Sequence, residues 1–258
     1  MGHLERLKRI CGYLSKFRTA AIRYRTEEPD YSDLPKQEYD WSRSVYGDSK
    51  YPMAKDIPTP KGKYVTTTTY KDANLYHDLM TGKACTAVLH FINQTPIDWH
   101  MKKQATVETA TYGSEFAAAR TAIQQIIGLR QALQYLGVPL RQTSYLFGDN
   151  ESVVKGGSIP HSRLSKRHHA LAYHFTREAV ATGIVSFHHI SGDTNPADIL
   201  SKHWGHSQVY PMLRPLLFYQ GDTADLIEED ETVVVPKEEE TDSPEQEGSD
   251  KIPVPQSK

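Results

Sequence analysis

Apolar residues at Leu4, Leu7, Ile10, Cys11, Leu14 and Phe17 recur in steps of three and four, and predict an amphipathic helix within residues 1–25. Lys8, Arg9 and Lys16 fall largely off that stripe, so the helix should bury one face against something. Residues 26–62 carry Pro, Asp, Tyr and Ser with no sustained period, and read as a linker or a loosely packed excursion. From Gly62 the pattern tightens. KYVTTTTY (63–70) is β-branched and aromatic and predicts a strand that ends at Asp72. Residues 84–92 form a second apolar run, and the turn NQTP leads to a third strand around 97–99. The strongest helix is predicted over 111–137. Its stripe is Phe116, Ala119, Ile123, Ile126, Ile127, Leu133 and Leu136, with Thr111 or Ser114 as cap and Gly137 as stop. A short apolar strand over 144–148 ends at Asp149. A basic helix over 162–182, a strand over 184–190 and a short helix after Pro196 complete the series. Three strands followed by helix, strand, helix, strand and helix predict an α/β fold, a mixed sheet flanked by helices.

Composition adds the setting. Cys11 and Cys85 are too few for a disulfide framework or a zinc ribbon, which favours a reducing, intracellular location. No run of roughly 18 apolar residues offers a membrane helix. The N-terminus lacks a signal peptide's apolar core, and Arg6 breaks the myristoylation pattern. The net charge of -2 averages two unlike pieces. Residues 222–258 hold 13 Asp/Glu against 3 Lys/Arg and read as a solvated, disordered acidic tail. Residues 1–221 hold 27 Lys/Arg against 19 Asp/Glu, a basic body compatible with a polyanionic partner. Charge alone does not choose between that partner and a merely basic surface.

Candidate chemistry lies in four acids. Asp72 ends the first predicted strand, Glu115 opens the long helix, Asp149 ends the fourth strand and Asp198 opens the last helix. Carboxylates at such element ends gather at one edge of an α/β sheet. They repel one another unless a cation neutralises them, and oxygen ligands of this kind suit Mg²⁺ or Mn²⁺. Two such ions about 4 Å apart activate a water and stabilise the leaving oxygen in phosphodiester hydrolysis. Each acid also has a plain structural role: a turn for Asp72, the helix dipole for Glu115, a cap for Asp149 with Asn150, and a first helical turn for Asp198. Element position alone leaves both readings open.

Ordered motifs go further. YKDAN, IDWHMKKQATVETATYGSEFAAA, FGDNESVV, HSRLSKRHHALAYHFTRE and NPADILSKHW follow one another as in the ribonuclease H domain of copia-type LTR retrotransposon polyproteins, which this chain resembles over about residues 63–205. The opening HLERLKRICGYL resembles the helix that closes the family's reverse transcriptase; the polymerase's own catalytic motifs are absent. The resemblance implies a ribonuclease H-like fold with a five-stranded mixed sheet, and divides the chain into a reverse-transcriptase tail (1–25), a linker (26–62), the ribonuclease H-like domain (63–205), an extension (206–221) and the acidic tail. It implies two Mg²⁺ ions, with Mn²⁺ as substitute, held by Asp72, Glu115, Asp149 and Asp198, and cleavage of the RNA strand of an RNA·DNA hybrid during reverse transcription. It further implies a partner in the reverse transcriptase of the same polyprotein, and a place in a cytoplasmic virus-like particle or the nucleus. Asn74 stands where the family usually has a second Asp, and His100-Met101 replaces the usual Ser before Lys102-Lys103-Gln104. The loop ISGDTNPAD lacks the histidine of cellular ribonucleases H, while His188 and His189 lie just before it. Asp193 competes with Asp198 for the fourth position.

Nucleic-acid contacts are expected from Lys102, Lys103, Asn150, Arg163, Lys166 and Arg167. The segment 161–177 reads as a positive helix face that also holds Arg177, His161, His168, His169 and His174. His168-His169 and His188-His189 invite a transition metal. Neighbours on a helix diverge by about 100° and on a strand point to opposite faces, so neither pair is expected to share one ion. Two rival functions stand beside the nuclease. One is an inactive remnant that binds nucleic acid or reverse transcriptase. The other is an integrase or transposase, which two cysteines in the chain exclude for want of an HHCC segment.

Overall fold

The computed structural model describes residues 2–37, 39–51, 56–164 and 167–219, so Lys166 and the acidic tail lie outside the described residues. Helix α1 spans Gly2–Lys16 and follows the predicted spacing, but most of its stripe is left open by the described residues: Leu4, Leu7, Ile10 and Leu14 are exposed, while Phe17, just past its end, is buried. A short strand β1, Ala20–Ile22, follows.

The main sheet begins with three consecutive strands, β2 (Thr67–Asp78), β3 (Lys83–Ile92) and β4 (Thr95–Lys103), paired antiparallel. β2 overruns its predicted end. Asp72 sits inside the strand, opposite Ala87 of β3, and the register breaks only between Asn74 and Asp78. The polar residues after Asp72 had suggested a turn, but the ladder with β3 carries the strand on.

Helix α2 spans Thr111–Tyr135 and buries Phe116, Ala119, Ile123, Ile126 and Leu133 as predicted, each large side chain contributing about 1.5–3 kcal/mol. Leu136 departs from the prediction and is exposed. The cap also departs: Ala110 is the N-cap and no side chain caps it. The stop is as expected. Gly137 (φ +72°) lets its own N–H reach the Gln134 carbonyl and that of Val138 the Leu133 carbonyl, closing the helix's free carbonyls.

β5 (Ser144–Gly148) runs parallel to β2, and a helix the periodicity did not predict, α3 (Glu151–Ser158), comes next. Two adjacent glycines lower its helix propensity, yet both are needed for packing. A Cβ on Gly156 would stand 3.1 Å from the Phe116 ring, and one on Gly157 would stand 2.9 Å from Thr176. The expected helix over 162–182 is shorter. A 3-10 turn at Arg167–His169 leads into α4, Ala170–Ala181. β6 (Val185–His189), α5 (Asp198–Ser201), α6 (His206–Leu213) and β7 (Leu217–Tyr219) complete the described chain.

The sheet order is β4-β3-β2-β5-β6, with β3 the one strand antiparallel to the rest, and β1 pairs with β7 in a small separate sheet. This is the ribonuclease H-like fold expected from the resemblance. Leu146, Val185 and Phe187 meet α2, α3 and α4 in one apolar core on one face. The opposite face carries aromatics, with Tyr70 and Phe147 stacked at 5.1 Å. The segment read as a linker makes specific contacts there. Tyr31 packs 4.4 Å from Tyr145 and its hydroxyl lies 2.9 Å from that of Thr68, while the Gln37 amide donates to the Phe187 carbonyl.

Candidate active site

The parallel pairing of β2 with β5 ends at Tyr70 opposite Phe147, while β2 runs on. Asp72 therefore lies beyond the last β5 partner, and Asp149 follows directly as the chain leaves β5 at Gly148. Glu115 comes from the first turns of α2, which packs across β2. One carboxylate oxygen from each of Asp72, Glu115 and Asp149 falls within 4.8 Å of the others. Asp72 and Glu115 are buried, and Asp149 is partly open. Asp198, at the start of α5, is buried and close enough for its charge to interact with Asp72 and Asp149. The competitor Asp193 lies exposed on the 3-10 turn Gly192–Thr194.

α5 is fastened to β2 by three contacts. Asn195 donates to the Lys71 carbonyl at 3.0 Å, Asn74 donates to the Ser201 carbonyl at 2.9 Å, and the Ser201 hydroxyl donates to Asp72. Asn74, the departure from the family pattern, thus holds the helix that bears Asp198.

Comparisons with known proteins bear on this arrangement. No family model matches the chain. It is 32% identical over 136 residues to the retrovirus-related Pol polyprotein of transposon TNT 1-94 from Nicotiana tabacum, covering 52% of this chain and 10% of that one. It is 26% identical over 144 residues to the corresponding polyprotein of transposon RE2 from Arabidopsis thaliana, covering 55% and 10%. Against that of transposon RE1, also from Arabidopsis thaliana, it is 25% identical over 202 residues, covering 78% and 11%. Over roughly half to three quarters of its length, the chain is similar to retrotransposon Pol polyproteins. It spans about a tenth of the length of these curated relatives. Among solved structures it is similar to the N-terminal RNase H domain of a Mycobacterium tuberculosis protein, at TM-score 0.42 and 11% identity over 58% of this chain and 97% of that one. It is likewise similar to RNase H1 of Halobacterium salinarum, at TM-score 0.40 and 13% identity over 54% and 95%.

Within this Pol-like region the electrostatics are dominated by crowded acids. Burial pushes the Glu115 carboxyl up to about 7; contact with the Lys71 ammonium opposes the rise, and the charges of Asp72 and Asp149 add to it. Burial likewise raises Asp198 to about 6, against its bond from Lys202 and with help from Asp72 and Asp149. Lys71 is fully buried with its ammonium on Glu115, and Lys202 binds one oxygen of Asp198. The other oxygen of Asp198 is buried and has no hydrogen-bond partner. Sequence reading missed both lysines. Lys71 stands beside Asp72 in an otherwise strand-like run, and Gly148 makes its room: a Cβ there would lie 2.9 Å from the Lys71 Nζ. Lys202 sits one helical turn after Asp198, a spacing that could have announced it. His189 was noted but unplaced. Its Nε2 lies 3.1 Å from the Asp149 carbonyl, tying the end of β6 to the acid.

The expected nucleic-acid residues scatter. Asn150 is partly exposed and is the N-cap of α3, its side-chain oxygen accepting from the Val153 N–H. Arg163 and Arg167 are exposed, and Lys166 lies outside the described residues. Lys102 and Lys103 are exposed on the edge strand β4, Lys103 bound to Asp78. Among the described residues the expected positive face is not one helix, since Arg167–His169 is a 3-10 turn and α4 begins only at Ala170. Arg177 is buried: it donates to the carbonyls of Gly156, Ile159 and Pro160. His174 is exposed, with its Nδ1 against the Tyr46 hydroxyl.

Proposed function

We propose that this region is a copia-type retrotransposon ribonuclease H, a metal-dependent endonuclease that hydrolyses the RNA strand of RNA·DNA hybrids. The observation that carries the reading is the convergence of Asp72, Glu115 and Asp149 within 4.8 Å at the open end of β5. Oxygen-only donors fit Mg²⁺ or Mn²⁺. The orphaned, buried oxygen of Asp198 and the raised carboxyls of Glu115 and Asp198 are what a site built around cations leaves when only Lys71 and Lys202 supply positive charge. Asp72, Glu115, Asp149 and Asp198 would hold the ions, which when bound supply the activated water and neutralise the leaving oxygen. Ser201 and Asn195 orient Asp72 and α5, and Lys71 keeps Glu115 in place at the foot of α2. Lys202 would release Asp198 as ions enter. The partly exposed Asp149 faces the substrate side. Arg163, Arg167 and Lys102 are the exposed cations available to track phosphates, a contribution that should fall with salt.

The uncovered stripe of α1 supports a second element of the reading, that α1 docks on the reverse transcriptase of the same polyprotein. Cleavage of a labelled hybrid in Mg²⁺ by the parent, Asp149→Asn, Asp198→Asn and Asp193→Asn tests the assignment. Loss with the first two and retention with the third is expected. Activity that survives Asp149→Asn would overturn it.

A further inference from the structure

We propose that Glu108, His168 and His169 form a transition-metal site of the zinc type, separate from the acid cluster. Glu108 lies in the loop that leads into α2 and is buried. Its Oε1 accepts from the Thr106 hydroxyl at 3.1 Å, while its Oε2 is buried with no hydrogen-bond partner. That oxygen lies 3.4 Å from His169 Nδ1 and 3.9 Å from His168 Nε2. One ligand atom from each of the three falls within 4.8 Å of the others.

The distances suit a small tetrahedral ion. Bonds of about 2.0–2.2 Å place neighbouring ligand atoms about 3.3–3.5 Å apart. The His169 contact already meets that spacing, and the His168 contact needs only a small rotation of an exposed ring. Although these consecutive histidines sit in the 3-10 turn Arg167–His169, their rings come within 3.9 Å of each other, inclined by 56°. The structure brings one nitrogen of each towards Glu108, where regular helix geometry had suggested divergence. Gly113 keeps the space open. A Cβ there would stand 2.6 Å from both Glu108 Oε2 and His169 Nε2, so any larger residue in the first turn of α2 would displace the ligands.

Two imidazoles and one carboxylate are the donors zinc takes where a fourth position stays open, and they disfavour Mg²⁺. The open side here is a groove of about 660 Å³, where Lys102 and Arg120 also lie. An ion held there would pin the turn ahead of α4 to the loop ahead of α2, the helix that carries Glu115.

The test is titration of the metal-free full chain with Co²⁺, read by visible absorption, and with Zn²⁺, read by calorimetry. Asp149→Asn, His168→Ala and Glu108→Gln are titrated alongside. Expected is one tightly bound ion with the intense bands of a tetrahedral, imidazole-containing centre. Asp149→Asn should retain it, and His168→Ala should weaken it by at least about tenfold. His168 is exposed, so its replacement leaves folding intact, which far-UV circular dichroism checks. Binding that disappears with Asp149→Asn but ignores His168→Ala would place the ion in the acid cluster alone and overturn the proposal. So would the absence of any tight binding.

Discussion

Replacing Arg177 by Met keeps the length and apolar stem of the side chain and removes its guanidinium. In the folded protein that group donates at 2.9, 2.7 and 2.6 Å to the carbonyls of Gly156, Ile159 and Pro160. These close the C-terminal end of α3 and the turn after it, where helix carbonyls have no partner within the helix. A cation there also complements the helix dipole. The guanidinium lies 4.9 Å from the Trp41 ring, 5.5 Å from Tyr46 and 4.9 Å from Tyr173. Hydrogen bonds from a charged donor are worth roughly 1.5–3 kcal/mol each net, but they share one desolvation cost and do not add. The expected loss is therefore about 3–5 kcal/mol, or a fall in melting temperature of roughly 6–20 °C for a region of this size. Arg177→Lys retains the charge but cannot span three carbonyls, and should lose about half as much. Urea unfolding followed by tryptophan fluorescence measures this, with Trp41 reporting at the site itself. A shift below about 1 kcal/mol for Arg177→Met would mean the guanidinium is a surface group, and would refute the capping role.

Three further outcomes follow from the packing and the charges. Gly157→Ala puts a methyl against Thr176 and Phe187 and should destabilise by about 1–3 kcal/mol in the same unfolding assay. Burial depresses the His90 pKa below its ordinary 6.5, and its ring fits the neutral form, accepting at Nδ1 from Thr69 and donating from Nε2 to Gln125. The unfolded state then takes up a proton that the folded state refuses. Stability should be fully present above about pH 6.5 and decline as pH falls below it, and His90→Gln should flatten that part of the profile. Mg²⁺ should raise the melting temperature by relieving repulsion among Asp72, Glu115, Asp149 and Asp198, and Asp149→Asn should reduce the rise. An equal rise in both proteins would place the bound Mg²⁺ elsewhere.

The strands and α2 were legible because each combines a single period with residues that suit it: KYVTTTTY for β2, and the stripe from Phe116 to Leu133 for α2. What escaped the sequence was set by partners distant along the chain. α3 was hidden by Gly156 and Gly157, whose missing side chains make room for Phe116, Thr176 and Phe187. Asp72 looked like a strand end because nothing local announces that β3 continues to pair with β2 past it. The four acids were readable as a set through their ordered motifs; what the sequence could not show is that Asp198 is buried and Asp193 exposed. Lys71 and Lys202 were not readable as members of the site, since a lysine's burial depends on which carboxylate it meets. Arg177 was misread as a surface cation for the same reason. The approach of His168 and His169 to Glu108 was not readable either, since it depends on how side chains from distant segments turn towards one another.

The central claim is that the four acids form a hydrolytic centre for hybrids. It is tested most directly by incubating the chain with an RNA·DNA duplex labelled on either strand, in Mg²⁺ or Mn²⁺, beside Asp72→Asn. The account predicts internal cuts in the RNA strand alone, and none from Asp72→Asn. Tight binding of the hybrid without cutting by the parent in either metal would contradict it and mark the region as a binding remnant.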